Sequence, residues 1–248
     1  MLLRTPQLVL KTIIDVADPK DLIAFSMCSK RMWRLIKFHW NKKNKYELKV
    51  DPDFQRISFE HASDEEVDVD LIKWFDYKKP KKTEKAEYVE IMGHRVLVIF
   101  GDKFIRTYWM DKQVGAQKII DYICDLFTMD VQRLSMQKPK AWFINFIKNR
   151  QTRPLNDVFI NTVCLSKEET ELILKLNSNE MMVYSIIPKN FQFHETLKYN
   201  FLHLDYGDWV TLDHLKNSDI TEFSISTSEL DEHDIVKGDA ASSEDDVP

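Results

Sequence analysis

The side chains best suited to acid–base chemistry in this 248-residue chain are His203 and Asp205. They lie two residues apart in a segment with strand-like alternation, so both would point to one face, where His203 could act as a general base. No nucleophile accompanies this pair in the sequence, which also contains no G-x-S-x-G, phosphate-loop or H-E-x-x-H motif. His and Asp side chains on a sheet surface are far more often structural than catalytic. We therefore expect a protein that is not an enzyme and needs no cofactor.

The cysteines argue against a metal site. Cys28, Cys124 and Cys164 are odd in number and widely spaced, without a C-x-x-C pair. No apolar run approaches the roughly twenty residues that a membrane helix needs. The amino terminus also lacks the small-residue cleavage site of a secretory signal peptide. These features predict no metal, no membrane segment, reduced thiols and a cytoplasmic or nuclear location.

Charge is concentrated at the carboxyl terminus. The formal net charge is −5, and eight acidic residues with one lysine from Glu229 onward contribute −7, so the preceding residues carry +2. Residues 238–248 are polar and acidic, which predicts a disordered tail. Residues 22–46 contain seven Lys or Arg and no carboxylate. This stretch could touch nucleic acid, but without a nucleic-acid motif we expect it to be the solvated side of helices.

The first forty residues predict three short helices. Apolar side chains recur with helical spacing after Pro6, at Leu10, Ile13, Ile14 and Ala17. Asp18 suits the N-cap of a second helix with Pro19 at its first position, and Ser29 suits the N-cap of a third. A segment of this length buries little core alone. Its remaining apolar side chains need either a partner protein or the rest of the chain to cover them.

This segment resembles the F-box, the motif that joins substrate receptors to the Skp-type adaptor of cullin ubiquitin ligases. The resemblance rests on Leu2-Leu3-Arg4-Thr5-Pro6, Leu10 to Ile14, Asp21-Leu22-Ile23 and Met27-Cys28-Ser29-Lys30-Arg31. The chain has Thr5 where most F-boxes have Leu before the proline. The resemblance implies an adaptor-binding set formed by Leu3, Pro6, Leu8, Val9, Leu10, Leu22, Ile23 and Phe25. The competing interpretation is a helical hairpin that merely begins the fold.

Residues 46–87 resemble a connector with charged blocks. Ile57 and Phe59, together with Phe54, could enter a sheet. Four apolar residues between acidic and basic blocks predict a short amphipathic helix: Leu71, Ile72, Trp74 and Phe75. The lysine-rich block at residues 78–82 resembles a nuclear localisation signal, although such runs are also ordinary flexible loops.

Residues 88–110 change to the period of strands. The apolar run from Val96 to Phe100 is flanked by turn signals on both sides, which predicts an antiparallel meander. A helical stripe then follows Gly115. Tyr108-Trp109-Met110-Asp111 together with Asp125-Leu126-Phe127 resembles the type 2 F-box-associated domain of nematode F-box proteins, from about residue 88 to about residue 222.

The second half repeats a pattern of apolar-x-x-apolar-x-apolar. Four copies start at Val131, Leu155, Tyr199 and Ile220, at intervals of 24, 44 and 21 residues. Asn179, Met182 and Tyr184 divide the 44-residue gap into 24 and 20 residues. These intervals are typical of leucine-rich repeats. Helical stretches lie between them, one of them announced by a capping box at Ser166 and Glu169 and another by Asp208 as a cap. We therefore expect an imperfect leucine-rich-repeat-like α/β solenoid.

Taken together, the patterns predict an α+β or α/β protein with a small three-helix F-box, an antiparallel meander and this solenoid. The expected segments are an F-box (1–45), a connector (46–87), an F-box-associated domain (88–237, with the meander at 88–110 and the repeats at 114–237) and a tail (238–248). The resemblance implies a non-catalytic substrate receptor that binds the Skp-type adaptor and, through it, cullin. The alternative is a repeat-type interaction protein that is not coupled to a ubiquitin ligase.

The expected target-binding residues follow from strand alternation. If the three apolar positions of each repeat point inward, the residues between and beside them point outward. This reasoning selects Arg133, Phe159, Met181, Val183, Phe201 and His203. A contiguous exposed apolar patch of this kind usually marks an interaction surface. The competing interpretation is that the meander folds over this face and buries it as core.

Overall fold

The computed structural model describes residues 7–41, 45–61, 69–78 and 84–227. The chain forms two compact units, residues 1–132 and 133–248. The division falls between Gln132 and Arg133, inside the segment expected to be one F-box-associated domain. Thr5, the predicted adaptor contacts Leu3 and Pro6, most of the lysine-rich block and the acidic tail lie outside the described residues.

The first unit combines four helices with six strands, and its sheet is mostly antiparallel. The elements are α1 (Gln7–Val16), α2 (Pro19–Cys28), α3 (Lys30–His39), β1 (Tyr46–Asp51), β2 (Arg56–His61), β3 (Val69–Asp76), β4 (Ala86–Ile91), β5 (His94–Phe100), β6 (Ile105–Trp109) and α4 (Lys112–Phe127). The strand order is β1-β2-β3-β6-β5-β4. Among these described strands, only the β3–β6 pair is parallel. The predicted meander is confirmed as β4, β5 and β6.

The segment expected to be a connector is instead largely sheet. It contains β1, β2 and β3, and the predicted amphipathic helix is wrong because Leu71, Ile72 and Trp74 lie in β3. Backbone pairing of β3 with β2 on one side and β6 on the other outweighs the local pattern. Ile57 and Phe59 enter the sheet as expected, whereas Phe54 lies in the preceding turn and is exposed.

The three predicted amino-terminal helices are present with their predicted caps. Asp18 accepts a 2.7 Å hydrogen bond from the backbone N–H of Lys20, and Ser29 accepts bonds from the backbone N–H groups of Arg31 and Met32 in α3. Helices α2 and α4 pack against the sheet. Gly115 lets α4 lie close to Trp109 of β6, because a Cβ at this position would be 2.4 Å from the Trp109 ring. None of the helices in the described ranges has the length and apolar character needed to cross a bilayer.

The second unit is a parallel sheet whose strands follow one another in chain order. Its elements are β7 (Arg133–Met136), α5 (Ala141–Arg150), β8 (Leu155–Cys164), α6 (Lys167–Leu174), β9 (Ser178–Ile186), β10 (Phe201–Tyr206), α7 (Leu212–Lys216) and β11 (Glu222–Thr227). Paired positions in successive strands recur at nearly constant intervals along the chain: Arg133, Asp157, Glu180, Phe201 and Glu222. When parallel strands follow one another in chain order, right-handed crossovers place all their connections on the same face of the sheet.

The face toward the helices carries the core of this unit. Its strand side chains are at most 1% exposed: Leu134, Met136, Val158, Ile160, Met181, Val183, Leu202 and Leu204. The predicted capping box of α6 at Ser166 and Glu169 is confirmed. The prediction that Asp208 caps a helix is wrong, because Thr211 is the N-cap of α7. Between β9 and β10 no helix forms in the described residues, and Phe191 packs its ring 5.2 Å from that of Trp209.

Candidate protein-docking surfaces

The described residues of the predicted adaptor-binding set are divided between exposed and buried positions of the amino-terminal helices. Leu8 is 76% exposed, Val9 is 45% exposed and Phe25 is 36% exposed. In contrast, Leu22 and Ile23 are fully buried, and Leu10 is almost so. The predicted set is therefore divided between the surface and the core of the first unit.

The rest of the first unit covers these three buried residues, which is one of the two outcomes that the sequence left open. In this conformation a partner would contact only the exposed residues of the set. Helix α2 packs on β3, β4 and α4, so the side chains on its inner face are already covered. Sequence reasoning missed two further exposed apolar residues of these helices, Val16 on α1 and Phe38 on α3, each 77% exposed. Leu8 and Val16 lie eight residues apart on α1, and that spacing places them on one side of the helix.

The basic stretch is partly engaged within its own unit. Lys37 forms an ion pair with Asp125, and Lys30 lies 3.9 Å from Glu90. These pairs are solvent-exposed, so they contribute little stability. They nevertheless place carboxylates next to cations that a nucleic acid would have to contact.

The second unit presents a half-buried sheet face opposite its core, which we call the outer face. The register brings together three of the predicted target-binding residues on it, Phe159, Phe201 and His203, with Arg133 at one edge. One row of directly paired residues consists of Ser135, Phe159, Met182, His203 and Ser224. The ring of Tyr184 lies 5.2 Å from that of Phe159 and 4.8 Å from that of His203. Aromatic and Met side chains are enriched in protein interfaces.

Met181 and Val183 are not on this face, so the prediction that their side chains point outward is wrong. Both point into the core, where Met181 lies opposite Val158 and Leu202. A shift of one residue in a strand exchanges its two faces. Met182 and Tyr184, which the repeat pattern placed inside, therefore occupy the outer face.

His203 belongs to a hydrogen-bonded chain of side chains. Its Nδ1 lies 3.0 Å from the Ser224 hydroxyl oxygen, and its Nε2 lies 3.3 Å from a carboxylate oxygen of Asp205. Ser226 donates to the same oxygen at 3.4 Å. Sequence reasoning missed Ser224, although the nearly constant offset between neighbouring strands could have identified it as a neighbour of His203.

This arrangement resembles a nucleophile, a base and an orienting acid, but its side chains stand on neighbouring strands of the outer face. Acyl transfer would also need preorganised donors around the developing oxyanion. We therefore interpret these hydrogen-bonded side chains as a structural network that orients the His203 ring against Tyr184. Within the described parts of the chain, no cluster of three or more His, Cys, Asp or Glu side chains is arranged to hold a metal ion.

Comparisons of the chain with protein-family models, with curated proteins and with solved structures each returned no match.

Proposed function

We propose that the chain is the substrate-recognition subunit of a Skp-cullin-F-box type ubiquitin ligase that acts in the cytoplasm or nucleus. In this proposal the amino-terminal helices bind the Skp-type adaptor, the outer face of the second unit binds a target protein, and the chain itself catalyses nothing. The observation that supports adaptor binding is the exposed apolar stripe of α1, formed by Leu8, Val9 and Val16. An apolar helix face of this kind is a common docking element.

The target-binding half is supported by the repeat geometry. The five parallel strands recur at nearly constant intervals, from Arg133 through Asp157, Glu180 and Phe201 to Glu222. Intervals of this length are typical of leucine-rich repeats. We infer that the second unit is an imperfect leucine-rich-repeat-like solenoid. Solenoids of this type present extended surfaces for partner proteins.

The test is co-purification of the full-length chain with a Skp-type adaptor. Leu8→Asp and Val9→Asp place a charge in the exposed stripe, so each should reduce adaptor binding by about tenfold or more without lowering the melting temperature. Gln113→Asp is the matched control, because this residue is exposed in the first turn of α4, where a carboxylate is favourable. Undiminished binding of both stripe variants would overturn the adaptor role.

The burial of Leu22 and Ile23 favours the second candidate function, a repeat-type interaction protein without a ubiquitin ligase. In that case α1, α2 and α3 only complete the core of the first unit. Folded wild-type chain that fails to bind the adaptor by calorimetry would overturn the adaptor role and leave this alternative as the supported function.

A further inference from the structure

We propose that the outer face binds a positively charged polypeptide segment that carries apolar side chains between its cations. The inference rests on the proposed docking role of this face and adds the chemistry of the target. It follows from the position of the charged side chains relative to the aromatic ones.

Two exposed carboxylates flank an aromatic ring at one end of the face. Phe201 pairs with Glu180 on one side and with Glu222 on the other, and both glutamates are exposed. Neighbouring strands lie about 4.8 Å apart, so the two carboxylate-bearing positions are separated by about 10 Å. In the same row Asp157 forms an ion pair with Arg133, which leaves the excess of charge negative.

A third carboxylate lies at the opposite end. Asp205 is four residues beyond Phe201 on β10, a distance of about 13 Å along a strand. Its side chain is 34% exposed, lies 3.3 Å from Nε2 of His203 and accepts a hydrogen bond from Ser226. These contacts orient the Asp205 carboxylate on the outer face.

The space between the two acidic ends is apolar and aromatic. Phe159, Met182 and Tyr184 occupy it, all half-buried. A segment with Lys or Arg at both ends and an apolar residue between them would match each part of this surface, and an arginine could also stack on Tyr184. An acidic segment or a nucleic acid would instead meet Glu180, Glu222 and Asp205 as like charges.

The experiment selects short random peptides displayed on phage against the intact chain. The expected consensus combines Lys or Arg with Phe, Leu or Trp, and synthetic copies should bind more weakly as salt increases. Combining Glu180→Lys with Glu222→Lys should weaken that binding by about tenfold or more and reverse its salt dependence. Glu168→Lys combined with Glu171→Lys is the charge-matched control, because both glutamates are exposed on α6, and it should leave binding unchanged.

The possible outcomes separate the two levels of the proposal. A neutral or acidic consensus that Met182→Asn abolishes, but that the double Glu→Lys variant leaves bound, overturns the charge preference and keeps the docking role. Failure to enrich any peptide, or binding that survives Met182→Asn, overturns the docking role of the face as well. Adaptor binding through α1 is measured independently and is unaffected by either result.

Discussion

Ser26 on α2 and Tyr122 on α4 share a buried hydrogen bond, with 2.7 Å between their hydroxyl oxygens. The Ser26 hydroxyl donates to the backbone carbonyl of Ile23 at 2.6 Å, so the Tyr122 hydroxyl is the donor to Ser26. The contact joins the second amino-terminal helix to the long helix that follows the meander. The amino-terminal helices are therefore an integral part of the first unit and not a freestanding module.

Tyr122→Phe should lower the free energy of unfolding by about 1 kcal/mol at neutral pH, because it removes one buried hydrogen bond. Urea denaturation of the full-length chain measures this change. Tyr206→Phe is the control, since Tyr206 is exposed and its substitution should be neutral. Equal stability of both variants would mean that the Ser26–Tyr122 bond contributes nothing to the fold.

The same residue makes stability sensitive to alkaline pH. Burial raises the pKa of Tyr122 to about 12, from an ordinary value of 10.0. Between these values the hydroxyl ionises in the unfolded chain and stays neutral in the folded one, so ionisation favours unfolding as pH rises. This destabilisation is small below pH 10 and reaches roughly 2 to 3 kcal/mol of lost unfolding free energy near pH 12.

Denaturation of the wild type and Tyr122→Phe across this range isolates the effect. Burial also raises the pKa of Tyr199, but that contribution is common to both proteins and cancels in the difference. The stability gap between them should narrow and then reverse as pH rises. A constant gap from pH 9 to pH 12 would contradict the raised pKa of Tyr122.

Two adjacent methionines test the register of β9. Met181→Ala should cost about 2 to 5 kcal/mol, because its side chain is fully buried in the core. Met182→Ala should cost less than about 1 kcal/mol, because its side chain lies on the half-buried outer face. Thermal unfolding of the two variants gives the comparison directly. The opposite ranking would favour the alternative register, with Met182 and Tyr184 in the core.

The interpretation of the His203 network as structural predicts an unreactive Ser224. A fluorophosphonate probe, which labels activated serines, should not modify this residue in the folded chain. Ser224→Ala should cost about 1 kcal/mol or less, because it removes one partly buried hydrogen bond. Labelling of Ser224 that disappears in His203→Ala would establish general-base activation and a hydrolase-like site.

Helix caps were predictable because each depends on a few neighbouring residues. Asp18, Ser29 and Ser166 bond to backbone groups two or three positions ahead of them. That geometry is independent of the rest of the chain. The meander was predictable for a similar reason, since its strands are consecutive and joined by short turns. Asp208 shows the limit of this reasoning, because several polar residues near a helix can compete for the cap.

The two faces of β9 were not predictable from the strand itself. Met181, Met182, Val183 and Tyr184 are all apolar, so either alternate pair satisfies the repeat pattern. Pairing with Val158 and Leu202 decides that Met181 points inward. When consecutive residues of a strand are all apolar, pairing with the neighbouring strands decides which alternate set of side chains faces the core.

The sequence by itself determined the elements whose information is local: three amino-terminal helices, the N-caps of two of them, a meander, and strands that recur at nearly constant intervals. Only the tertiary structure decided that β3 is a strand, that Leu22 and Ile23 are core, and that Ser224 meets His203. Each of these outcomes depends on partners far away in the chain. Side-chain burial and strand pairing are long-range interactions that override local propensity and are absent from the local pattern of residues.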